Sequence, residues 1–113
     1  MTIQDLKDFG ANTEEGLSRC INNEDFYFRM IRMAVADKSY GALSDAIERK
    51  DLDAAFEAAH SLKGILGNLA LTPMYNTVAE MTELLRARKD TDYSPYLEDI
   101  MKQHEKLARI CEE

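Results

Sequence analysis

Apolar residues recur along this chain at intervals of three and four, the spacing that gathers them on one face of an α-helix. The sustained single alternation of a half-buried strand is missing. Ile3, Leu6 and Phe9 predict a short first helix that stops at Gly10. Asn12 with Glu15 gives a capping arrangement for a second short helix through Leu17, Cys20 and Ile21. Asn23, ahead of Glu24 and Asp25, caps a third helix carrying Phe26, Tyr27, Met30, Ile31 and Ala34. Ser39 begins its continuation, with Leu43 and Ile47 turned inward. Asp51 caps a central helix from about Leu52 to Leu69. The next starts with Thr72 as N-cap and Pro73 at the first helical position, and Met74, Val78, Met81 and Leu85 form its inward stripe. Ser94-Pro95 repeats that start for the last helix, lined by Leu97, Ile100, His104, Leu107 and Cys111. Short connections make consecutive long helices antiparallel neighbours. The expectation is one all-α domain over residues 1–113, an antiparallel four-helix bundle with short additional N-terminal helices.

Composition narrows the function classes. The chain has 113 residues, enough for one modest core, and its 45% hydrophobic content argues against disorder. Without a long apolar run or a leader with a small-residue cleavage site, the expected location is the cytoplasm, with no membrane association. Acidic residues outnumber basic ones 21 to 14, for a net charge of −7, so most of the surface repels a nucleic-acid backbone. Cys20 and Cys111 fit neither a CxxC site nor a zinc pattern and read as reduced, mostly buried thiols.

The chemistry concentrates in His60-Ser61-Leu62-Lys63-Gly64, in the middle of the central helix. At about 100° per residue, Leu52, Ala55, Phe56, Ala59, Leu62, Leu66 and Leu69 fall on one apolar stripe. His60 lies just beyond its edge, with Lys63 and Gly67 on the same side and Gly64 slightly further out. The imidazole is therefore expected to rest its base on the bundle and turn its outer nitrogen to water. Each glycine costs roughly 1 kcal/mol relative to alanine in a helix interior, yet both adjoin His60. Their absent side chains let a partner's backbone approach the ring; close helix packing is the competing explanation, chiefly for Gly67. Lys63, one turn on, can reach a phosphoryl group on the outer nitrogen. As a like charge it also disfavours protonation of the ring, and a ring nitrogen with a free lone pair is what must attack phosphorus. His104, on an apolar face without basic or glycine neighbours, reads as a boundary histidine with a satisfied hydrogen bond. The two histidines, on different helices, make no zinc site, and no metal is expected. The methionines read as core residues.

From Asp51 to Leu85 the chain resembles the histidine-containing phosphotransfer (HPt) domains of two-component phosphorelays. The residues that carry the resemblance are His60-Ser61-Leu62-Lys63-Gly64, Gly67-Asn68-Leu69 and Leu71-Thr72-Pro73. It implies a phosphoryl group on the outer nitrogen of His60, passed to or from an aspartate of a response-regulator receiver domain or a hybrid histidine kinase. The receiver would supply the acidic pocket and Mg²⁺, so the carrier needs no cofactor of its own. Ser61, Gly64 and Gly67 would border the docking surface, and Arg86 would approach the phosphate. Family domains often keep small residues where this chain has Ile65 and Leu66, and many have glycine where Ala70 stands. A polar residue on the neighbouring helix commonly supports the inner ring nitrogen; the aligned position is Thr82.

Leu6, Phe9 and Leu17 are candidates for an apolar docking patch or, equally, for capping the bundle's end. The expected function is a stand-alone, monomeric phosphocarrier in a multistep phosphorelay. The alternative is an HPt-like docking module that binds a kinase or receiver without being phosphorylated. No Gly-rich nucleotide loop is present, so the chain is expected not to be an enzyme.

Overall fold

The computed structural model describes residues 1–112, and among them every regular element is an α-helix. In chain order these are α1 (Ile3–Phe9), α2 (Thr13–Arg19), α3 (Glu24–Val35), α4 (Ser39–Glu48), α5 (Leu52–Asn68), α6 (Thr72–Arg86) and α7 (Ser94–Glu112). Helices α3 and α4 form one leg of a four-legged bundle, interrupted at Ala36–Lys38, where the Asp37 carboxylate accepts from the Ser39 amide at 2.8 Å. Helix α5 packs on α4 and on α6, α6 packs on α7, and α3 closes the ring against α7. The result is a bundle of 41 × 23 × 20 Å.

Most of the capping signals act as the sequence suggests. Asn12, Asn23 and Asp51 each accept from the backbone amide three residues on. Gly10 ends α1 at φ +109, a left-handed conformation that a side chain resists. Thr2 and Asp5 add a reciprocal capping box in front of α1. The start of α6 differs from expectation. Leu71 is its N-cap, without a side-chain bond, and Thr72 donates its hydroxyl backward to the Ala70 carbonyl at 3.2 Å. Ala70 itself holds φ +55, so the turn between α5 and α6 keeps a left-handed residue at the position where glycine would carry no Cβ penalty.

The core runs the length of the bundle. Ile31, Leu43, Leu62, Leu66, Met74, Met81, Leu85, Ile100 and Leu107 are all completely buried. The short N-terminal helices cap one end of it. Leu6 is completely buried, Phe9 and Leu17 are packed against the core, and Pro73 lies against Gly10. Leu6 therefore caps the bundle's end, while Phe9 and Leu17 are half-buried and keep part of their surface exposed. Ile21 departs from its expected helix. It lies beyond α2 at φ +52 and is 81% exposed. Cys20 is buried, Cys111 is half-buried, and both are free thiols.

Tyr27 ties α3 to the end of α5, its hydroxyl donating to the Leu69 carbonyl at 2.8 Å in the buried interior. Burial, with a smaller contribution from Cys20, pushes this phenol up to about 12. An unfolded tyrosine ionises near 10, so above that pH the unfolded chain releases its proton first. The Tyr27 contribution to stability is thus complete below about pH 10 and is lost between there and about 12. Tyr27→Phe should cost about 1–3 kcal/mol, because the Leu69 carbonyl loses its side-chain donor. It should also weaken the alkaline decline. Urea unfolding at pH 7 and pH 11 measures both, and an unchanged midpoint at pH 7 would mean that the bond contributes nothing.

Candidate functional site

The apolar stripe of α5 fixes where the polar residues of the same helix must point. Ala55, Ala59, Leu62 and Leu66 are completely buried, which turns His60, Ser61 and Gly64 outward to the surface. The His60 ring stands one turn above Phe56, with ring centroids 5.6 Å apart and planes 17° from parallel. Residues four apart on a helix meet in this way. Lys63 is half-buried on the α6 side of the helix, where its charge acts on Glu83.

The two glycines next to His60 have different surroundings. A Cβ added at Gly64 would meet nothing within 4 Å, whereas one at Gly67 would lie 3.3 Å from Cε1 of Tyr75. The Gly67 carbonyl also accepts from Nη1 of Arg19 at 3.1 Å. Close packing therefore accounts for Gly67, and open space remains at Gly64. Ser61 faces the other flank and accepts a 3.4 Å bond from the Ser39 hydroxyl, which links α5 to the start of α4.

Helix α6 supplies the wall beside the imidazole. Thr82 is completely buried and donates its hydroxyl to the Val78 carbonyl of its own helix at 2.6 Å. The expected support of the His60 ring by Thr82 is not made, because that side chain is directed into the core. Arg86 is exposed, its Nε donating to Oε2 of Glu83 at 3.0 Å and its guanidinium carbon 5.0 Å from the centroid of Phe56. A second guanidinium, that of Arg88, stands 5.1 Å from the same ring. Arg88 is held by Asp53 at 2.6 Å and by the Leu85 carbonyl at 2.6 Å, at the C-terminal end of α6 where cations are favoured. The Arg86 hydrogen bond and charge, followed by the charges of Lys63 and His60, hold the Glu83 carboxyl below its ordinary range. Thus His60, Lys63, Glu83 and Arg86 share one electrostatic neighbourhood on a chain of net charge −7.

The other histidine is accounted for structurally. His104 is half-buried, with Nε2 2.8 Å from the Val35 carbonyl and its ring 4.2 Å from that of Tyr40. Among the described residues no group of His, Cys, Asp and Glu is arranged to hold a metal ion. No described helix is long and apolar enough to cross a membrane.

The Hpt domain family model matches residues 34–112, which span α4 to α7 and include His60. The chain belongs to the Hpt domain family. Hpt domains are phosphocarriers of two-component signalling that interact with receiver domains and kinases, and the helical bundle found here is their architecture. Neither a search of curated proteins nor one of solved structures gave a match.

Sequence reasoning passed over three residues of this neighbourhood. Phe56 looked like one more member of the apolar stripe, although an aromatic four residues before His60 has to meet its ring. Glu83 was legible as the carboxylate three residues before Arg86. Arg88 carried no signal, because its anchor, Asp53, is 35 residues away in sequence.

The space around Gly64 leads to a stability test. Gly64→Ala should stabilise the fold by up to about 1 kcal/mol, the ordinary helix-interior difference. Gly67→Ala should gain less, since Tyr75 must shift. Thermal unfolding of both variants measures this, and a lowered midpoint for Gly64→Ala would expose a packing role that the open space does not suggest.

Proposed function

We propose that this Hpt domain is a stand-alone phosphocarrier that accepts and donates a phosphoryl group at His60 in a multistep phosphorelay. The observation that carries the reading is an exposed imidazole on a rigidly packed helix, beside the unfilled space at Gly64 and in the same electrostatic neighbourhood as Lys63 and Arg86, all acting on Glu83.

In the proposed transfer the lone pair of the outer nitrogen of His60 attacks the phosphorus of a receiver's aspartyl phosphate. An N–P bond forms, the P–O bond to the aspartate breaks, and the carboxylate leaves with the electron pair. Lys63 and Arg86 partly balance the charge of the phosphoryl group on the ring. Return of the group to a second receiver reverses these steps. Gly64 and Ser61 border the approach of the receiver, while Gly67 holds the helix against Tyr75. Mg²⁺ comes with the receiver, and the carrier contributes no ATP-binding site. We assign the carrier to the cytoplasm, where domains of this family usually act, as a monomer free to exchange partners.

Receiver domains from the same genome, phosphorylated and mixed briefly with the protein, test the proposal. Acid-labile, base-stable label should appear on the wild type and not on His60→Gln, whose helicity and stability should match the wild type. Binding of a receiver with no transfer of label would overturn the carrier reading in favour of a non-phosphorylated docking module.

A further inference from the structure

The ring of His60 has a neighbour of an unexpected kind. The hydroxyl expected to support it, that of Thr82, is buried and committed to the Val78 carbonyl. The ring instead lies nearly parallel to Phe56, at 5.6 Å and 17°. Phe56 also gathers the guanidinium groups of Arg86 at 5.0 Å and Arg88 at 5.1 Å. One aromatic side chain thus touches the candidate phosphoacceptor and a cation proposed to balance the phosphoryl group.

We infer that Phe56 is a positioning residue of the phosphotransfer site, fixing the His60 ring by stacking and holding Arg86 beside it by a cation–π contact. The inference rests on the carrier reading of His60. The physical argument has three parts. An exposed imidazole without a hydrogen-bonded partner on its inner nitrogen turns freely about two side-chain torsions, and a near-parallel ring one helical turn away restricts that motion. An arginine over an aromatic face is localised while retaining its full charge, so it remains available to a phosphate. Both contacts are made by one side chain, so the imidazole and the guanidinium are held in a constant relation to each other although each is exposed.

Phe56 is itself held in place from both helices. It is packed against the core on α5, and Arg88 lies over it while bound to Asp53 at the start of α5 and to the Leu85 carbonyl at the end of α6. Glu83 completes the arrangement. Its carboxylate takes the Nε of Arg86 at 3.0 Å, placing a negative group among the cations where a phosphoryl group would compete for them. Arrival of the phosphoryl group then needs only a local exchange of partners by Arg86 around a fixed ring.

Phe56→Leu, Phe56→Tyr and Arg86→Ala variants, together with the Phe56→Leu/Arg86→Ala double variant, test this. Phe56→Met replaces the leucine variant if that one does not fold. Transfer from a phosphorylated receiver and the half-life of the phosphorylated form are measured alongside the folded fraction. Phe56→Leu should slow transfer about tenfold, a loss of roughly 1.4 kcal/mol of transition-state stabilisation, with the protein still folded. Phe56→Tyr, which keeps the ring, should stay within about threefold of wild type. In the Arg86→Ala background Phe56→Leu should slow transfer further but by less than tenfold, because only the part of its effect that acts through Arg86 is already lost, while the stack on His60 is not. An activity-independent readout is the nuclear Overhauser contact between the Phe56 and His60 rings, which reports the stack directly. Transfer by Phe56→Leu equal to wild type, or a missing ring contact, would overturn the positioning role while leaving the carrier intact. Absence of label on wild-type His60 would instead overturn the carrier reading beneath it.

Discussion

The packing of α5 between α4 and α6 is the constraint on which the rest of the molecule depends. Alanines and leucines at helical spacing bury one side of this helix completely, and its rotation is thereby fixed. A helix that rotated by one residue would turn the imidazole about 100° away from its present direction. The outward direction of His60, its stack on Phe56 and its closeness to Glu83 and Arg86 all follow from that one buried stripe. The site is therefore a surface feature with the rigidity of a core, which suits a group that must be presented to a partner in a constant geometry.

Charge is distributed with similar economy. The chain is acidic overall, yet Lys63, Arg86 and Arg88 all belong to the seam between α5 and α6 near His60. Carboxylates restrain the two arginines without removing them. Glu83 holds Arg86, and Asp53 holds Arg88. Such exposed pairs contribute little to stability, but they keep flexible cationic side chains in place. In the proposed carrier a phosphoryl group, with more charge than one carboxylate, would displace Glu83 from Arg86, and the restraint would be reversible.

Much of the architecture was legible in the sequence because the pattern and the caps agree. The inward stripe of α6, from Met74 to Leu85, and the caps Asn12, Asn23 and Asp51 came directly from residue spacing and side-chain chemistry. The places left open or misjudged are those where tertiary geometry decides between equally acceptable local readings. Leu6 could cover a bundle end or face a partner, and only the position of α1 against α7 made it core. Thr82 had the right alignment to reach His60, but its hydroxyl found a carbonyl on its own helix first, as threonine often does mid-helix. Cys20 and Ile21 followed the helical period past the end of α2 at Arg19, since the chain turns left-handed at Ile21. His60, Lys63 and Gly64 needed no tertiary information to be noticed, whereas Phe56 and Arg88 acquire their meaning only from contacts across helices.

The central claim concerns one nitrogen atom. Phosphorus-31 and nitrogen-15 NMR of the protein after reaction with a phosphorylated receiver would identify the modified atom without relying on a variant. A single phosphoramidate on the outer nitrogen of His60, with the His104 resonances unchanged, is the result predicted. A phosphoryl group on His104 or on the inner nitrogen of His60, or none on any histidine, would contradict the account.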